Sequence, residues 1–97
     1  MPEVLVVVRG RLKDAKAASK VMAAVPRFIA ASRREAGCRA YELYVSATDE
    51  AEIATIERWA SLEAAQTHLA AQHTQEFLAL AMECLVLAPE MRTFPLD

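Results

Sequence analysis

Apolar and polar residues follow two different periods along this chain, and the change of period predicts where strands and helices lie. The run Val4–Val8 is continuous and rich in β-branched residues, which is typical of a strand with both faces partly buried. Tyr41, Leu43 and Val45 alternate with more polar neighbours, which is typical of a strand with one buried face. The predicted strands cover about residues 3–12, 38–46, 52–60 and 91–96.

Helical spacing dominates the segments between these strands. Ala18, Met22, Val25 and Ile29 recur at the helical period after Asp14, a good N-cap, and predict a helix over about residues 15–36. Because Pro26 lacks a backbone donor, we expect a kink there or two abutting helices. We interpret Gly37 as the helix stop. A second helix begins at Leu62 after Ser61, a break follows near Gln72 and His73, and a third helical piece ends before Pro89.

The order strand, helix, strand, strand, helix pair, strand is the split βαβ pattern of a ferredoxin-like α+β domain. The predicted fold is βαββαβ with an antiparallel sheet, and residues 1–97 form one domain. Right-handed crossovers place all helices on one face of the sheet. The first and third strands are apolar on both faces, so a bare sheet face would expose several apolar side chains. Removing a few hundred Å² of such surface from water is favourable by roughly 5–10 kcal/mol. We therefore expect a second copy of the chain to cover the open face, giving a homodimer.

Composition excludes several functional classes. Eleven basic and thirteen acidic side chains leave a net charge of -2, which does not provide the positive field that nucleic-acid binding needs. The longest apolar stretch, Phe77–Met82, is too short to span a bilayer. No basic n-region of a secretory signal follows Met1, and two cysteines, Cys38 and Cys84, fit a reducing compartment, so we expect a cytoplasmic protein. The sequence alone does not decide whether a disulfide bridge joins the two cysteines.

Two segments resemble the antibiotic biosynthesis monooxygenase family, whose members are dimeric α/β-barrel proteins. The first, residues 35–44, reads EAGCRAYELY and is similar to the family's helix-to-strand junction. The second, residues 56–77, carries Glu57, Trp59, Ser61, Glu63-Ala64, His68-Leu69, His73 and Phe77 in the family's order. The chain most resembles the short quinol-monooxygenase-like members.

The resemblance also separates activities within the family. Haem-degrading members carry an Asn on the first strand, a Trp where this chain has His68, and a haem-ligating His near the position of Leu78. Polyketide-oxidising members carry an Asn four residues before the third-strand Trp, where this chain has Thr55. Because the chain contains no Asn at all, haem degradation is disfavoured and the oxygen-handling residues are only partly present.

His68 is the candidate catalytic residue, since a neutral imidazole can accept a phenolic proton near neutral pH. Tyr41, Trp59, Phe77 and Phe28 are the candidate substrate-binding residues. Four of these five residues have a structural alternative: His68 bonded to the backbone, Trp59 in the core, and Phe28 and Phe77 packed across two helical layers. We also expect Glu57 to pair with Arg9 or Arg11 across the sheet.

No metal site is predicted, because a spacing of five positions from His68 to His73 does not place two imidazoles on one helical face and no third ligand is evident. No cofactor is predicted either. The leading hypothesis is a cofactor-independent monooxygenase that oxidises a small aromatic quinol or phenol with dioxygen. The alternatives are a non-catalytic dimer that binds a metabolite or regulates other proteins, and a non-oxidative isomerase using the same pocket.

Overall fold

The computed structural model describes residues 2–96 and has the predicted order of elements. They are β1 (Glu3–Arg11), α1 (Ala15–Arg33), β2 (Cys38–Val45), β3 (Glu52–Trp59), α2 (Leu62–Ala70), α3 (Gln72–Cys84) and β4 (Glu90–Leu96). The chain has the ferredoxin-like α+β fold, as the sequence predicted.

The four strands form one antiparallel sheet in the order β2-β3-β1-β4. Val6 lies opposite Glu57 and Val7 lies opposite Ile56, so consecutive residues of β1 face opposite sides of the sheet. β4 is an edge strand, which is why Pro95 is tolerated although it cannot donate a ladder hydrogen bond. The register therefore assigns Val6 and Glu57 to the helix-covered face and Val7 and Ile56 to the other.

Helix α1 is a single continuous helix with Pro26 in its interior, so the expectation of two abutting helices is wrong. Asp14 caps it by accepting from the Ala17 N–H at 2.8 Å. The predicted break between the second and third helices is present. Ala71 is extended, with φ -65° and ψ 146°, and it both ends α2 and starts α3.

Gly37 has a role that the sequence did not show. No glycine in residues 2–96 has a positive φ, so Gly37 is not needed for a left-handed helix stop. Instead, a Cβ at Gly37 would collide with the Cβ of Ala64 in α2. The Ala60 N–H donates to the Gly37 carbonyl at 2.8 Å. The missing side chain thus allows the start of α2 to lie directly against the α1–β2 junction.

The core lies between the sheet and the three helices. One cluster joins the end of β1 to α1 and α3, and a second joins the centre of the sheet to α1 and α2. The opposite face of the sheet has exposed apolar side chains: Tyr44, Ile56 and Phe94 are 54%, 41% and 44% exposed. One face of the sheet is therefore covered by the chain's own helices and the other is not.

The two cysteines and the lengths of the helices answer two further questions raised by the sequence. Cys38 is half-buried and Cys84 is buried, and both are free thiols, so no bridge joins them. Across residues 2–96, no helix combines the length and the apolar character needed to cross a membrane.

Candidate active site

A cavity of about 120 Å³ lies between the helix-facing side of the sheet and the helices. Its lining is mostly apolar, with a few polar side chains pointing into it, which is the usual character of a small-molecule site. The lining includes Val6, Phe28, Tyr41, Leu43, Thr55, Glu57, His68, Thr74 and Phe77.

His68 is the best-placed base in this cavity. It lies near the end of α2, only 3% exposed, and its Nδ1 is 2.6 Å from Glu35 Oε2. Since a carboxylate only accepts, the neutral ring carries its proton on Nδ1 and leaves Nε2 with a free lone pair. Nε2 has no hydrogen-bond partner in residues 2–96. It is not among the fully buried polar atoms that lack a partner, so it is not sealed off by the surrounding protein. Because His68 lines the cavity, we infer that Nε2 is open to it.

Glu35 also binds a second imidazole. His73 Nε2 lies 2.8 Å from the same oxygen, Glu35 Oε2, and the two histidine rings are 5.9 Å apart. The extended backbone at Ala71 turns α3 back, so that His73 in its first turn meets His68. Thr74 Oγ1 completes the cluster at 3.3 Å from His68 Nδ1. The expectation that no third ligand is present was wrong, because the two imidazoles converge from two different helices and Glu35 is a third possible ligand.

Aromatic rings form one wall of the cavity. Phe28 and Phe77 are stacked with centroids 4.1 Å apart and an interplanar angle of 3°, so they meet across the helical layers as predicted. Tyr41 packs edge-on against Phe28 at 5.6 Å. Trp59 is 0% exposed and is absent from the cavity lining, so its position fits the core alternative. The centroid of its ring lies 4.6 Å from that of His68, so Trp59 packs against the imidazole without lining the cavity.

Glu57 is a buried carboxylate that also lines the cavity. It is 3% exposed and accepts from Trp59 Nε1 at 2.9 Å and from Thr55 Oγ1 at 2.8 Å. The expected pairing with Arg9 or Arg11 is wrong, because Arg11 binds Asp49 and Glu52 and no salt bridge to Glu57 occurs in residues 2–96. Neutral donors of β3 therefore satisfy this carboxylate instead of a cation.

The phenol of Tyr41 stays protonated in this environment. Burial raises the pKa of Tyr41 well above its ordinary value of 10.0, and the negative charge of Glu57 raises it further. Tyr41 therefore acts as a neutral side chain at physiological pH.

The structure adds Glu35 and Thr74 to the residues considered from the sequence, and it places Glu57 in the cavity lining instead of in an ion pair. Glu35 and His73 both lay inside the family-like segments, but nothing in their spacing showed that they converge on His68. The sequence signal that could have indicated this convergence was the pair of short helices, because a break before His73 allows the chain to reverse and bring His73 back to His68. Thr74 gave no signal, since a buried threonine on a helix is usually a packing residue.

Comparison with known proteins agrees with this fold. The sequence model described as antibiotic biosynthesis monooxygenase matches residues 4–80. The solved structure of Rv0793 from Mycobacterium tuberculosis is 31% identical, with a TM-score of 0.88 over 98% of this chain and 96% of that chain. No match was found among curated proteins.

Two more distant structures share the fold. A conserved protein from Methanosarcina mazei superposes with a TM-score of 0.93 at 21% identity, over 100% of this chain and 95% of that one. A mutant of SnoaB, a cofactor-independent oxygenase from Streptomyces nogalater, superposes with a TM-score of 0.83 at 18% identity, over 97% and 92% of the two chains.

Proposed function

The chain belongs to the antibiotic biosynthesis monooxygenase family, and we propose that it is a cofactor-independent monooxygenase acting on a small aromatic quinol or phenol. The observation that carries the proposal is the Glu35–His68 pair, with Nδ1 of His68 held by the carboxylate and the other ring nitrogen open to an apolar cavity.

Proton transfer to His68 is the first step. Nε2 accepts a hydroxyl proton of the bound quinol, and the resulting imidazolium is stabilised by Glu35 across the 2.6 Å contact. The phenolate is a stronger electron donor than the neutral phenol and can therefore reduce dioxygen directly. This explains how the reaction proceeds with the substrate itself as the reductant.

The overall reaction balances with dioxygen as the one co-reactant. For 1,4-dihydroxybenzene, one O₂ is consumed, a new bond forms between a ring carbon and one oxygen atom, and the O–O bond breaks. The second oxygen atom leaves as water with two hydrogens from the substrate. The organic product is 2-hydroxy-1,4-benzoquinone, and all four electrons come from the substrate.

The cavity lining supports this chemistry in two ways. The stacked rings of Phe28 and Phe77 offer a flat wall for an aromatic substrate and exclude water from reduced oxygen species. The buried carboxylate of Glu57 can accept a hydrogen bond from a substrate hydroxyl and repels an anionic group. We therefore expect neutral substrates with hydroxyl groups to be preferred over carboxylated ones.

We also propose that the chain forms a homodimer through the open face of the sheet. Leu5 and Val7 of β1 are half-buried there, and Ile56 and Phe94 beside them are exposed. Arg58 and Arg92 lie next to Leu5 and Val7 on the same face, so the surface mixes apolar and basic side chains. Apolar side chains grouped on one exposed face often mark an interface. Light scattering at micromolar concentration should give twice the chain mass for the wild type and the chain mass for Ile56→Glu. A monomeric wild type would rule the dimer out.

Oxygen uptake tests the enzymatic proposal. The purified wild type is placed in an oxygen electrode with a panel of hydroquinones and naphthols, and the products are identified by mass spectrometry under ¹⁸O₂. We expect uptake above the uncatalysed rate on at least one compound, with one labelled oxygen atom in the product. No uptake on any compound would overturn the proposal, and a product formed without uptake would indicate an isomerase.

A further inference from the structure

Glu35, His68 and His73 place three metal-ligating atoms together at the surface end of the site. The carboxylate oxygen of Glu35 and one ring nitrogen from each histidine all lie within 4.8 Å of one another. We propose that these three residues form a binding site for a divalent transition-metal ion, with occupancy controlling the state of His68.

The spacing suits one ion shared by all three atoms. Ligands at about 2.0–2.2 Å from a metal lie about 3 Å or more from each other. Glu35 Oε2 is 2.6 Å from His68 Nδ1 and 2.8 Å from His73 Nε2, so a shift of a few tenths of an ångström makes room for the bonds. Exchanging the two hydrogen bonds for metal bonds requires each ring proton to move to its other nitrogen, with no net loss of a proton from either histidine.

The donor set determines the class of ion. Two imidazole nitrogens and one carboxylate favour Zn²⁺, Fe²⁺, Co²⁺ or Ni²⁺ over Mg²⁺ or Ca²⁺, which take oxygen ligands. The site is partly open, because the His73 side chain is 28% exposed and that of Glu35 is 16% exposed. An ion can therefore enter from solvent without passing through the substrate cavity, and water can fill its remaining positions.

Metal binding would change the chemistry of His68. An ion on Nδ1 leaves the proton on Nε2, so the nitrogen that faces the cavity becomes a donor. It can no longer accept a phenolic proton. The site would thus be inhibitory. This inhibitory role rests on the proposed function, whereas the existence of the metal site does not.

Cobalt titration tests the site without any substrate. Co²⁺ added to the purified protein should give visible ligand-field absorption that saturates at one ion per chain. Glu35→Gln and His73→Gln should weaken the binding by about 10- to 100-fold. Glu76→Gln is the matched control, since Glu76 is an exposed carboxylate of α3 whose one side-chain hydrogen bond within residues 2–96 comes from Gln72. Circular dichroism checks that each variant is folded.

The outcomes separate the two proposals. Absence of one-to-one binding by the wild type, or equal binding by folded His73→Gln, would overturn the metal site whatever the enzyme does with quinols. If a quinol substrate is found, Zn²⁺ should inhibit the wild type, and its half-inhibiting concentration should rise about tenfold or more in His73→Gln. Equal inhibition of the two proteins would refute the regulatory role.

Discussion

Glu35 and His68 are separated by 33 residues in sequence, yet Oε2 of Glu35 lies 2.6 Å from Nδ1 of His68. Glu35 stands at the junction that follows α1, and His68 stands near the end of α2. The two elements meet because Gly37 has no side chain where Ala64 packs. The proposed acid–base chemistry therefore depends on a packing detail two residues away from the carboxylate.

Replacing Glu35 should affect proton transfer more than substrate binding. Glu35→Gln removes the charge that fixes the proton on Nδ1 and stabilises the imidazolium. We expect kcat to fall by at least about tenfold while KM for the quinol changes little. Steady-state oxygen uptake measures both constants. A change confined to KM, or a kcat of Glu35→Gln equal to that of the wild type, would exclude a positioning role for the carboxylate.

Glu57 should select against anionic substrates. In Glu57→Gln the amide oxygen can still accept from Trp59 and the amide nitrogen can donate to Thr55, so the fold should be retained. Removing the negative charge should narrow the preference for 1,4-dihydroxybenzene over 2,5-dihydroxybenzoate by about tenfold or more. The ratio of kcat/KM values for the two compounds measures this. An unchanged ratio would show that the carboxylate does not act on the substrate.

Tyr41 should make the protein less stable at alkaline pH. Burial raises its pKa, so above its ordinary pKa of 10.0 the unfolded chain loses this proton while the folded chain keeps it. The stabilisation is fully present below pH 10 and decreases as pH rises toward the folded-state pKa, by up to about 1.4 kcal/mol per pH unit.

Urea unfolding between pH 9 and pH 11 isolates this contribution. Tyr41→Phe should lose less stability across the range than the wild type, and Tyr44→Phe, at an exposed position, should behave like the wild type. Equal losses in all three proteins would contradict the buried, protonated phenol.

Gly37 should be intolerant of even a methyl group. Gly37→Ala places a Cβ against Ala64, and α2 must move to relieve the overlap, which should cost about 1–3 kcal/mol of stability. Gly10→Ala is the control, because its new Cβ would meet the ends of the flexible Leu85 side chain at 2.9 Å and 3.1 Å. Urea unfolding of both variants should show the larger loss for Gly37→Ala. The reverse order would argue against the close approach of α2.

The fold could be predicted because its signals are local. The periods of apolar residues, the Asp14 and Ser61 caps and the break before His73 each act within a few residues, and they located every strand and helix. Pro26 does not divide α1 into two helices, because the rest of the helix tolerates one missing hydrogen bond. Gly37 was misjudged because its constraint comes from Ala64, which is distant in sequence.

The site was only partly predictable for the same reason. His68, Tyr41, Phe28 and Phe77 line the cavity because each lies on the buried face of its element, whereas Trp59 does not line it. The contacts that define their chemistry join distant segments: Glu35 reaches His68 and His73, and Glu57 is satisfied within β3. Spacing along one element cannot show such contacts.

The exchange of His68 for glutamine tests the account most directly. Oxygen uptake by the wild type and by His68→Gln is compared on the best substrate of the panel, with circular dichroism to show that both proteins are folded. The account predicts a decrease in kcat of about 100-fold or more, the usual contribution of a positioned general base. Equal uptake by the two proteins would contradict the assignment of His68 as the base.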